Sequence, residues 1–155
     1  MNLKNLCATS ALAVLVVAGH GQAAPVNRQA PVFLFNGVED ITLQCTTSTS
    51  FVDIPGLTRT FNQSAGAAEE VVAMMQGSFS IVSFDFTYVR LLIDGVVVGP
   101  GPVPLTSVEG FGDTHGFNWQ SKPLAAGAHT AKVQWRTDNG SALCVKARTL
   151  IILHS

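Results

Sequence analysis

Apolar residues along this chain fall into one continuous block and many short alternating runs. The block is Ala11 to Ala18. After it, runs of three to twelve residues alternate with Gly, Pro and Asn clusters, the punctuation of an all-β domain. The expected strands are Val32–Phe35, Ile41–Cys45, Ser50–Ile54, Thr58–Phe61, Glu70–Gln76, Ser78–Tyr88, Val89–Ile93, Val96–Val98, Gly116–Gln120, Ala128–Thr137 and Ala142–Leu153. Helix propensity alone would accept Ala67–Gln76. Gly66 and Gly77 bracket that window and its apolar residues are continuous, so it reads as strand.

Two turns are specific enough to predict geometry. Asp94-Gly95 between Leu91-Leu92-Ile93 and Val96-Val97-Val98 signals a two-residue type I′ hairpin, which needs positive φ at both central positions. Asp138-Asn139-Gly140 separates two strands whose apolar faces are Val133/Trp135 and Leu143/Val145. Closing them as a hairpin with a three-residue loop pairs Trp135 with Leu143 and Val133 with Val145, whereas a one-residue slip would mix core with solvent. In that register Cys144 lies on the polar face, where Leu150 and Ile152 also stand. Covering them would fall to the segment around Val32–Phe35 or to another subunit. Gly99 to Pro104 (GPGPVP) is too short for a triple helix and reads as an extended linker.

The block at the start has a different meaning. Lys4, the short apolar run and Gly21-Gln22-Ala23 have the layout of a signal peptide, 1–23, cut after Ala23. Removing those 23 of the 155 residues leaves 132, the size of one domain (24–155). No later run approaches the ~20 apolar residues of a membrane helix. The destination is therefore secreted or periplasmic. There disulfides persist, and with Cys7 gone, Cys45 and Cys144 are expected to form one. Eight basic residues then face ten acidic ones, a balance that speaks against nucleic acid as partner.

LLIDGVVV (91–98), LAAGAHTAKVQWR (124–136) and CVKARTLIILH (144–154) resemble exported bacterial β-sandwich proteins of uncharacterised function. The last two segments, taken as a hairpin, resemble those of jelly-roll domains of the C1q and tumour-necrosis-factor type. The resemblance covers residues 79–154 and implies an all-β, jelly-roll-like β-sandwich. It implies no catalytic residue.

Chemistry is sparse. Asn62-Gln-Ser-Ala-Gly66 lacks the first glycine of a nucleophile elbow, and Gly110–Gly116 has the wrong spacing for a phosphate loop. The expectation is no enzyme, no cofactor and no metal. The loop 107–116 does gather Glu109, Asp113 and His115, which raises the question of a cation. His129 is expected to bond a backbone carbonyl. Five of the eight remaining basic residues lie between Lys122 and Arg148, with Asp138 the single acid among them. In the hairpin register Lys132, Arg136, Lys146 and Arg148 share one face, a candidate anion-binding surface. An anionic glycan or surface polymer would relieve the repulsion of opposed like charges. The alternative is a self-assembling, trimeric surface protein using Leu150 and Ile152.

Overall fold

The computed structural model describes residues 38–64, 70–105 and 112–154. The expected signal peptide, the strand at Val32–Phe35, and Glu109 of the loop lie outside these residues. Ten strands follow in order: β1 (Val38–Asp40), β2 (Gln44–Thr46), β3 (Val52–Gln63), β4 (Val72–Ile81), β5 (Thr87–Ile93), β6 (Val96–Val97), β7 (Val103–Leu105), β8 (Asp113–Gln120), β9 (Gly127–Thr137) and β10 (Leu143–Leu153). The window that helix propensity would accept is strand from Val72 onward.

Two antiparallel sheets pack face to face. One runs β1-β10-β4-β8 with β2 also on β10; the other runs β3-β9-β5-β6 with β7 also on β5. Successive long strands thus alternate between sheets, the interleaving of a jelly roll. Period-2 alternation points one face of each strand inward, and Ile54, Leu57, Phe61, Phe79, Leu91, Trp119, Trp135, Leu143 and Leu150 fill the core. Burying each such side chain stabilises the fold by roughly 1.5–3 kcal/mol before ordering entropy is subtracted. Among the described residues no helix is long and apolar enough to cross a membrane.

The Asp94-Gly95 hairpin forms as expected. Ile93 pairs with Val96, and Asp94 and Gly95 have φ of 51° and 81°. The disulfide also forms: Cys45 on β2 stands directly opposite Cys144 on β10, with S–S 2.01 Å. It lies on the outer face, because Cys144 alternates with the buried Leu143 and Val145.

The final hairpin does not form. β9 pairs with β3 and β5, whereas β10 pairs with β4, β1 and β2. Trp135 and Leu143 both point into the core, but from opposite sheets. Gly140 does take the left-handed conformation, φ 82°. The segment it turns, however, crosses the end of the sandwich beside the β4–β5 connection, residues 82–86. Asp138 N donates to Phe86 O at 2.8 Å and Val82 N to Ala142 O at 3.1 Å. The carboxylate of Asp85 accepts from the amides of Asn139 and Ser141 at 3.1 Å. These bonds satisfy the polar groups that a hairpin would have paired internally.

A second departure sits within β10. The register with β4 shifts between Lys146 and Thr149, and Ala147 has φ 50°. This β-bulge reverses the alternation. Beyond it Arg148, Leu150 and Ile152 turn inward and are fully buried. Leu150 and Ile152 are therefore core residues covered by the opposite sheet, which removes the need for another subunit to shield them.

Candidate functional site

The four basic residues predicted to share one face are divided between the two sheets. Lys132 and Arg136 stand on β9. Lys146 is exposed on β10, and Arg148 is 0% exposed. The guanidinium of Arg148 donates from Nε to Pro55 O at 2.9 Å, from Nη1 to Thr42 O at 2.6 Å and from Nη2 to Asp40 Oδ2 at 2.6 Å. It ties the edge of one sheet to the bend in β3 of the other and has no surface left to offer an anion. Gly56, in that bend at φ 81°, leaves room for it: a Cβ there would meet Asp40 Oδ2 at 3.0 Å and Arg148 Nη2 at 3.4 Å.

The outer face of the β3-β9-β5 sheet retains the other two and adds partners. Register places Arg90 beside Gln134 and Tyr88 beside Arg136, with Asp53 beside Gln134 on the far side. Gln134 Oε1 accepts from Arg90 Nε at 2.9 Å and Nη2 at 2.7 Å. Its Nε2 donates to Asp53 Oδ1 at 2.7 Å, and Lys132 Nζ donates to Asp53 Oδ2 at 3.0 Å. The Gln134 hydrogen bond first, then that from Lys132, holds the Asp53 carboxyl below the usual carboxylate range.

Aromatic rings underlie the charges. The Arg90 guanidinium sits 3.9 Å from the Phe51 ring centre, and that of Arg136 sits 5.3 Å from Phe51 and 4.6 Å from Tyr88. Arg136 also pairs with Asp138 at 2.5 Å. Arg90 instead donates to the neutral Gln134 amide. Lys132 and Arg136 are thus each balanced by a carboxylate within the chain, whereas among the described residues no carboxylate pairs with Arg90.

The stripe continues past the strand. From Phe84 to Arg90, Asp85, Thr87 and Val89 are buried while Phe84, Phe86, Tyr88 and Arg90 are not. Phe84 is 81% and Phe86 54% exposed, and their rings meet edge to face at 5.7 Å. Ser83 Oγ bonds Ser141 Oγ at 2.8 Å, so together with Asp85 the connection is fixed from beneath while its rings project. Phe51, Tyr88, Arg90, Phe84 and Phe86 were not among the residues singled out by sequence. Their alternation is visible there, but placing Asp85 and Thr87 inside runs against burial preferences.

At the opposite end of β5 lies a groove of about 910 Å³, lined among others by Val96, Val97, Pro100, Trp119, Lys122 and Leu124. The Trp119 indole N–H donates to Gly101 O at 3.3 Å. His129 bonds the Ala125 carbonyl at 2.8 Å as expected, and additionally the Asp94 carboxylate at 2.6 Å. Of the segment expected to be a loop suited to a cation, Asp113 and His115 lie in β8, paired with Phe79 and Gly77 of β4, and the ring of His115 packs near Phe79 and Phe117. Among the described residues no three His, Cys, Asp or Glu side chains gather where they could hold a metal ion.

No protein-family model matches the sequence, and no curated protein matches it. Several solved structures are similar in fold. The C-terminal domain of EclA, a sugar-binding protein, has a TM-score of 0.48 at 14% identity, over 84% of this chain and 89% of that one. A family 35 carbohydrate-binding module from an environmental isolate has a TM-score of 0.44 at 17% identity, over 83% and 94%. The insecticidal delta-endotoxin Cry8Ea1 from Bacillus thuringiensis has 0.43 at 12%, over 73% of this chain and 20% of that one.

Proposed function

We propose that the protein is a non-catalytic binding module, working outside the cytoplasm, whose ligand is an acidic glycan held on the outer face of the β3-β9-β5 sheet. The observation that carries this reading is the Arg90 guanidinium, stacked 3.9 Å above Phe51 and bonded to an amide, with no carboxylate paired to it among the described residues. Its remaining N–H groups form a planar fork suited to a sugar carboxylate or sulfate. Sugar rings have an apolar face that suits Tyr88, Phe86 and Phe84, and hydroxyls that suit Gln134 and Asp53. Lys132 and Arg136 border the site, whereas Arg148 does not take part. The disulfide accords with an oxidising compartment.

Retention of the processed protein on immobilised polyuronate, sulfated and neutral polysaccharides at low salt tests the reading. Retention on the acidic polymers, weakened by salt and lost in Arg90→Gln, is expected. Passage through all of them would end it. Selective retention on neutral polymers would keep the glycan and discard the anion.

A further inference from the structure

The groove at the far end of β5 has two walls, the turn from Asp94 to Val97 and the segment from Ser121 to Leu124. His129, near the start of β9, reaches both. Nδ1 lies 2.6 Å from Asp94 Oδ2 in one wall, and Nε2 lies 2.8 Å from the carbonyl oxygen of Ala125, which follows the other. Both partners accept and neither donates. A neutral imidazole has one N–H and can satisfy only one of them; the imidazolium satisfies both.

The two walls are not held alike. The turn is bonded to β9 without the histidine, through Asp94 N to Thr130 O at 2.9 Å and Thr130 N to Asp94 Oδ1 at 2.8 Å. The other wall is anchored at its start, where Ser121 N donates to Val71 O and Val71 N to Ser121 Oγ, both at 2.9 Å, and where Leu124 packs on the core; beyond these, the Ala125 carbonyl takes its bond from His129. When the proton leaves, the charge-assisted bond to Asp94 is the stronger competitor for the remaining N–H. The Ala125 carbonyl then faces a lone pair.

We propose that His129 is a proton-operated tie across the groove: protonated, it draws the segment around Ala125 to the Asp94 turn, and deprotonated, it lets that segment go and the groove widens. This stands apart from the glycan face, at the other end of the sandwich. Asp94 is the charged group bonded to the imidazole. From β3 the Phe61 ring meets the imidazole at 5.5 Å, with His154 beyond that ring at 5.1 Å from it; Lys122 lies in the wall that leads to Ala125.

Asp94 first, then the Ala125 carbonyl, raises His129 above its ordinary value of 6.5. The bond from His129 first, then that from Thr130, lowers Asp94 below its ordinary 3.8. The stabilising contribution of His129 is therefore complete below about 6.5 and is lost as pH rises through its raised value. That of Asp94 is complete above the ordinary carboxylate range and is lost only in stronger acid. The tie is closed in mild acid and opens toward alkaline pH.

The carbonyl-carbon shift of Ala125 and the ring-nitrogen shifts of His129, followed by NMR from pH 5.5 to 8.5, test this. The Ala125 signal should titrate with the same midpoint as the His129 ring, while carbonyl signals of β4 and β10 stay in place. In His129→Gln the Ala125 signal should lose its pH dependence. Asp94→Asn preserves a residue tolerant of the turn, so it should stay folded and lower the His129 titration midpoint. An Ala125 signal that does not follow the His129 titration would overturn the proposal, as would an unchanged midpoint in Asp94→Asn.

Discussion

Arg136 and Arg148 have the same side chain and the same kind of partner, an aspartate at 2.5 and 2.6 Å, yet they serve different ends. Arg148 is wholly enclosed, and each of its three hydrogen bonds joins a different piece of backbone or side chain near the sheet edges. Arg136 is 28% exposed, stacked on two rings that lie on a sheet surface. A buried ion that loses its partners is costly, whereas an exposed pair is worth little. Burial thus ties one arginine to stability and leaves the other on the sheet surface, at the border of the proposed glycan face, although their local sequences, QWRTD and VKART, hardly distinguish them.

Arg148→Met leaves the Thr42 and Pro55 carbonyls without their donor and should cost about 3–5 kcal/mol in urea unfolding, against less than about 1 kcal/mol for Arg136→Met. Equal losses would mean that burial does not separate the two roles. Next in size is the Cys45–Cys144 link, whose removal by double alanine substitution should cost about 2–4 kcal/mol. Being on the other sheet, it should leave glycan retention unchanged in protein that remains folded.

Phe84→Ala combined with Phe86→Ala reverses the pattern: stability should hold within roughly 0.5 kcal/mol, while glycan affinity falls on the order of tenfold. Lys146→Gln, on the outer face of the β10 sheet, should alter neither melting nor affinity by a measurable amount. A binding defect there would draw the β10 surface back into the site.

Which residues face inward was largely legible in the sequence; which strands are neighbours was not. Trp135 and Leu143 have matched apolar alternation whether they sit side by side or across a core, so period alone could not separate a hairpin from a crossing between sheets. Asp94-Gly95 succeeded because its turn needs only two residues and local φ preferences. The bulge at Ala147 was hidden because a non-glycine residue in the left-handed region leaves little trace in composition. The consequence was that Leu150 and Ile152 looked stranded on a polar face, and Arg148 looked exposed. The aromatic stripe was obscured for a related reason: Asp85 is buried only because the crossing segment brings two backbone amides to it.

Backbone chemical-shift mapping with a short oligogalacturonate tests the central assignment most directly. Perturbed amides should cluster at 51–53, 84–90 and 132–136, and Arg90→Gln should abolish the perturbations. Perturbations centred on 144–149 or on the groove around Trp119 would contradict it.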